Sequence, residues 1–224
     1  MIVIRTLSAQ AYELMRERIL TGELAPGVPL RQDTIALELG VSKIPLREAF
    51  SRLEQDGLLS SHPNRGFVVR PLSTAEAEEV FALRLRLEPD ATAQASLIAT
   101  DQERHQASQA LSALEQMQDE GETVGHVALN RAFHMALVRP GAGLITCQII
   151  ERLHVIAERY VHVHLAPDGR NARAKQEHQA LLSLWIAGAA DKVAVATRDH
   201  IAGTLNDLRK QLRANILVME ASST

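Results

Sequence analysis

The chain has 224 residues, 46% apolar and only 3% aromatic, with a formal net charge of −3. That leaves room for two modest domains, with cores built from Leu, Ala, Val and Ile, and no run of about 18 apolar residues exists to span a membrane. Residues 1–71 carry nine Lys/Arg against eight Asp/Glu, and the remainder fifteen against nineteen. A uniformly basic nucleic-acid binder is therefore excluded. Any affinity for nucleic acid would have to come from the placement of a few cations, helped by dimerisation.

The single cysteine, Cys147, excludes an intrachain disulfide and fits a reducing cytoplasm. Its apolar neighbours Ile145 and Ile149 predict a buried, inert thiol. The first twenty residues lack the charged start, apolar core and small-residue cleavage site of a secretory leader, so a cytoplasmic protein is expected.

In chain order, residues 8–20 predict an opening helix with Ala11, Leu14, Met15, Ile19 and Leu20 toward the core. Ala25-Pro26-Gly27-Val28-Pro29 reads as a turn. Residues 30–69, LRQDTIALELGVSKIPLREAFSRLEQDGLLSSHPNRGFVV, predict two short helices around a tight turn and then a two-stranded wing. Ile35, Ala36, Leu39 and Val41 are the apolar positions of the first helix and its exit. Gly40 stands where the helix must stop and reverse. Ser42 is expected to cap the next helix through its side-chain oxygen, with Pro45 in the first turn. Leu46, Ala49, Phe50 and Leu53 form the buried stripe. Lys43 and Arg47, four apart, share a solvent face at the helix start, the arrangement of a recognition helix. The expected strands are 58–60 and 67–69, joined by a turn over 61–66.

This block resembles the winged-helix DNA-binding domain of the GntR family of bacterial transcription regulators. The resemblance is carried by GVSKIPLREAFSRLEQDGLL, by PGVPL before it and by PNRGFVV after it. It implies DNA contacts from Arg31, Ser42, Lys43, Pro45 and Arg47, with Asn64, Arg65 and Gly66 at a wing tip that enters the minor groove. The family more often has Arg where this chain has Lys43. Lysine keeps the charge and loses the bidentate fork that reads guanine.

Arg70-Pro71-Leu72-Ser73 breaks the pattern. The expected division is a winged helix-turn-helix domain over 1–71, a linker over 72–76 and an all-helical domain over 77–224. Helical periods predict elements at 74–98, 101–119, 122–138, 142–165, 170–188 and 190–214, a mainly α bundle with short connections. The last five residues are expected to fray.

Asn130 and His134, four apart, lie on one helix face, with His178 and His200 on two later helices. Facing helices of a bundle build metal sites from such positions, and three neutral imidazoles suit Zn²⁺ or Ni²⁺. By spacing alone the signal is weak, since a histidine in a helix is more often a satisfied or exposed residue than a ligand. Residues 74–214 resemble the FCD ligand-binding domain that accompanies this winged helix in the FadR subfamily. The resemblance rests on ALRLRLE, NRAFHMAL, EHQALLSLWIAGAADKVAVA and the closing Arg198-Asp199-His200. It implies a divalent metal held at Asn130, His134, His178 and His200, with Asn130 where metal-binding members have Asp. An amide oxygen still coordinates but brings no charge, and a more positive centre favours an anionic ligand.

The same resemblance puts the Arg84 guanidinium in an effector cavity, where it pairs with a carboxylate. An i,i+4 surface pair with Glu88 is the competing expectation. Arg86 is expected in water, and Tyr160 and Trp185 in packing. His154, His162 and His164 have no assigned role. The function implied is a homodimeric regulator, most often a repressor, that binds a palindromic operator and responds to a small carboxylate. One alternative is a constitutive dimeric DNA-binding protein with a degenerate sensor domain, which the loss of the acidic ligand favours. The other is a metal-dependent hydrolase. Against it stand the absence of HExxH, of a nucleophile elbow and of a phosphate-cradling loop, and the poor placement of Glu177 as a base beside His178.

Overall fold

The structure, a computed structural model, describes residues 6–62, 66–119, 125–164 and 170–222; residues 162–164, 170–171 and 212–222 are described by backbone alone. The chain divides into two units, residues 1–73 and 74–224.

Unit 1 opens on α1 (Leu7–Leu20). Thr6 caps it, its Oγ1 accepting from the Ala9 amide at 3.2 Å. The buried face is Ala11, Tyr12, Met15, Arg16, Ile19 and Leu20. Leu14, expected on that face, is 40% exposed. At about 100° per residue it falls roughly 140° from the middle of the stripe. Tyr12 fills the stripe instead. Its hydroxyl donates to Asp56 and its ring lies under the Arg52 guanidinium, 4.1 Å away.

Next come β1 (Pro29–Leu30), α2 (Gln32–Glu38), α3 (Lys43–Gln55), β2 (Leu59–His62) and β3 (Gly66–Val69). The strands form an antiparallel sheet in the order β1-β3-β2, with Leu30 opposite Phe67 and Leu59 opposite Val69. Pro29 opens an edge strand where the sequence suggests only a turn. An edge tolerates a residue without an N–H. Ser61 and His62, expected in the wing turn, extend β2.

Between α2 and α3, Gly40 adopts φ +64°, which lets the chain reverse without a Cβ clash. Ser42 occupies the N-cap of α3 with extended backbone, but its side chain makes no capping hydrogen bond. Pro45 explains this: it is the third helical residue and lacks the amide that an N-cap oxygen normally receives. Leu46, Ala49, Phe50 and Leu53 are fully buried, and Phe50 meets Phe67 edge-on at 5.2 Å between centroids.

Every described element of unit 2 is a helix: α4 (Thr74–Ile98), α5 (Asp101–Asp119), α6 (His126–Val138), a 3-10 turn (Arg139–Gly141), α7 (Leu144–His164), α8 (Arg170–Ile186) and α9 (Ala190–Ser222). α9 runs past the expected end at 214 and through residues expected to fray; after Gly203 it meets neither Gly nor Pro. Trp185 is fully buried and donates from Nε1 to the Leu137 carbonyl at 3.1 Å. It anchors a core with Phe133, Leu114, Leu181 and Val193. The 3-10 turn approaches α4 so closely that a Cβ on Gly141 would lie 2.3 Å from the Ala95 nitrogen. Cys147 is half-buried and its neighbours Ile145 and Ile149 are 66% and 46% exposed. The start of α7 is thus a surface, not the expected apolar interior. No helix among the described residues is long and apolar enough to cross a membrane.

Candidate functional site

In unit 1, Arg31, Lys43 and Arg47 are all exposed. Arg31 is the N-cap residue of α2, and Lys43 and Arg47 stand one turn apart at the start of α3. An open groove runs between these helix starts and the sheet, lined by Arg31, Gln32, Asp33, Lys43, His62 and Gly66 among others. Lys43 pairs with Asp33, both well exposed. Such a pair is worth little in water and is readily exchanged for a phosphate. Ser42 is exposed and Pro45 half-buried. Gly66 opens β3 at φ +72°, while Asn64 and Arg65 lie outside the described residues.

In unit 2, three helices bring His134, His178 and His200 together. Their ligand nitrogens lie within 4.8 Å of one another. His134 and His178 are 5% and 2% exposed and His200 is half-buried. Ring centroids are 5.0 Å apart for His134–His178, 5.1 Å for His134–His200 and 4.8 Å for His178–His200. Asn130 lines the same cavity, of about 70 Å³, enough for several waters or a small ligand. Burial, then the neighbouring histidines and Arg84, hold His134 well below the usual imidazole range. It is therefore neutral, the state in which a ring nitrogen donates its lone pair to a metal.

The Glu177 carboxylate accepts from His200 Nδ1 at 2.7 Å, which leaves Nε2 with its lone pair. Carboxylate support of this kind is how metal-ligating imidazoles are oriented. Glu177 thus stands behind a histidine and not among the cavity-lining residues.

Arg84 also lines the cavity, and it pairs with Glu88, Nε to Oε1 at 2.5 Å. The pair is buried, with Arg84 at 6% and Glu88 at 1% exposure, so the expected surface location is corrected. His154 Nε2 donates to Glu88 Oε2 at 3.1 Å. Burial alone would raise the Glu88 carboxyl, but the Arg84 charge and the hydrogen bonds from His154 and Arg84 outweigh it and hold it at about 2. His154 is itself held low, by burial first and Arg84 second, against the pull of Glu88. Arg86 is exposed.

Sequence reasoning left His154 unassigned and passed over Glu158, Gln118 and His126, all of which line the cavity. Glu158 is 5% exposed and accepts from Arg131 Nη1 at 2.8 Å. Gln118 and His126 meet at 2.9 Å. The available signal was the i,i+4 polar pair His154/Glu158 inside the otherwise apolar face of α7. The side chains of His162 and His164 lie outside the described residues.

Residues 7–69 match the model of bacterial regulatory proteins of the gntR family, and residues 79–203 match that of the FCD domain. The HTH-type transcriptional regulator McbR of Escherichia coli K12 is 31% identical over 150 residues, 67% of this chain and 68% of that protein. The HTH-type transcriptional repressor RspR of the same organism is 24% identical over 212 residues, 93% of this chain and 92% of that one. The solved structure of E. coli McbR/YncC superposes with a TM-score of 0.80 at 25% identity, covering 93% of this chain and all of that one.

Proposed function

This chain belongs to the GntR family of bacterial transcription regulators and carries an FCD domain, and from that membership we propose how it works. It is a DNA-binding regulator and not an enzyme. In our reading it is a homodimeric repressor whose grip on a palindromic operator is set by a small organic anion bound in unit 2. Repression is supported by the similarity to RspR, a transcriptional repressor.

The observation that carries the sensing half is the convergence of three imidazoles on one cavity. Their donor chemistry fits a divalent ion such as Zn²⁺ or Ni²⁺, with His134, His178 and His200 holding it and Asn130 as a fourth donor. Such an ion, when bound, supplies a Lewis-acidic charge that attracts an anion.

The protein's own ion pairs are closed: Arg84 on Glu88 and Arg131 on Glu158. A site with a neutral Asn130 therefore leaves the ion's charge uncompensated by its donors, which favours an anionic effector. Arg84, which lines the cavity, then orients that anion by donating hydrogen bonds to it. Operator contacts fall to Arg31, Ser42, Lys43, Pro45 and Arg47, with Asn64, Arg65 and Gly66 at the wing. Two chains read half-sites about one helical turn apart. Coupling requires that the effector bind one arrangement of the dimer more tightly than the other, typically by about 1–3 kcal/mol.

Thermal unfolding of the full chain against a panel of small carboxylates and sugar acids, with and without chelator, tests this. A ligand at 100 times its Kd adds about 2.7 kcal/mol and raises the midpoint by roughly 5–10 °C. A shift that chelator abolishes supports the metal anchor. One that survives chelation moves the anchor to Arg84 and its neighbours. No shift across the panel favours a constitutive DNA-binding dimer.

A further inference from the structure

Ile44 is the second residue of α3 and is 73% exposed. A lone exposed apolar residue is ordinary, and Leu37 on α2, 85% exposed, is one. The placement of Ile44 is different. The core stripe of α3 is Leu46, Ala49, Phe50 and Leu53, and at about 100° per residue Ile44 points almost diametrically away from its middle. Its neighbours on that outward arc, three and four residues on, are Arg47 and Glu48, and Lys43 precedes it at the helix start; all three are exposed. A β-branched side chain on a solvated helix face contributes nothing to folding and has only middling helix propensity. It gains when the face is covered.

What covers the start of a recognition helix is the floor of the major groove. The apolar feature on its base edges is the C5-methyl group of thymine. We propose that Ile44 packs on a thymine methyl in each operator half-site. Lys43 and Arg47 then supply charge and hydrogen bonds, and Ile44 supplies an apolar reading that neither cation can give.

The inference rests on the DNA-binding role of unit 1, and the experiment separates the two. Duplexes selected from a random library by the full-length chain define a half-site. Each thymine is then replaced in turn by deoxyuridine, which lacks only the methyl, and affinity is read by fluorescence anisotropy at fixed salt.

One thymine per half-site should show a loss of about fourfold, and both together about fifteenfold, the value of one buried methyl each. Ile44→Ala should bind thymine and deoxyuridine duplexes equally, while Ile44→Val keeps the discrimination. Lys43→Ala should weaken both duplexes alike and leave their ratio unchanged. A half-site without a methyl-sensitive thymine, or a penalty that persists undiminished in Ile44→Ala, overturns the proposal. Selection that enriches no site at all overturns it together with the DNA-binding role.

Discussion

In unit 1 the cations aimed outward, Arg31, Lys43 and Arg47, stand in water. In unit 2 Arg84, Glu88, His134, His154 and His178 are all at most 6% exposed. An exposed cation costs the fold almost nothing and acts only when a partner arrives. A buried charge has to be matched inside the protein before any ligand comes, and the ion pair of Arg84 with Glu88 does this. The outward cations of unit 1 can therefore change without harm to the fold, whereas the buried polar residues of unit 2 belong at once to the site and to stability.

The largest effect should come from breaking the buried pair. Glu88→Ala strands Arg84 beside His154 and should cost about 3–5 kcal/mol, lowering the melting midpoint by roughly 6–20 °C at this chain length. Calorimetry or circular dichroism melts read this directly. A loss below about 1 kcal/mol would mean that Arg84 escapes to solvent, and would erase the contrast. Arg47→Ala should do the opposite, weakening operator binding by about 1–3 kcal/mol with stability unchanged within about 0.5 kcal/mol.

The two units should also fail at opposite ends of the pH scale. His134 and His154 are held neutral in the folded chain, so below the ordinary imidazole value the unfolded chain takes up protons that the folded one refuses. Chelator-treated protein should lose stability as pH falls from about 6.5 toward 5, by up to about 1.4 kcal/mol per pH unit for each histidine. Glu88, held at about 2, adds nothing in that window. Its contribution is complete above the unfolded carboxyl value of about 4.3 and is lost only as pH falls through the folded value.

In unit 1 burial first, and then the hydrogen bond to Asp56, push the Tyr12 hydroxyl up. That contribution is complete below the unfolded phenol value of about 10 and is lost as pH rises beyond it. Melts across pH 5–11, followed in each unit by hydrogen exchange, separate the two trends.

The smallest effect is at the Lys43–Asp33 pair. Asp33→Asn should leave stability within about 0.5 kcal/mol and raise DNA affinity slightly, since one acidic group leaves the DNA-facing groove.

This division also decides what was legible beforehand. The turn glycine, the cap position, Pro45 and the outward cations of α3 sit within a few residues of one another, so local periodicity placed them. Even there the missing Ser42 cap depended on the amide absent from Pro45, and the two-residue strand β1 is too short to carry a pattern. In unit 2 the helices were legible from their periods. Their meeting was not, because His134, His178 and His200 come from three separated helices, and only family resemblance joined them. Burial of the Arg84–Glu88 pair is set by α7, through His154, and an i,i+4 spacing looks the same at the surface as in the core.

The most direct test of the sensing account is the metal content of the full-length chain. Wild-type protein, purified without chelator and then titrated with Zn²⁺ by calorimetry beside His178→Ala, should bind about one ion per chain, with uptake lost in the variant. No retained metal and no uptake by the wild type would contradict the account and leave unit 2 as a dimerising scaffold.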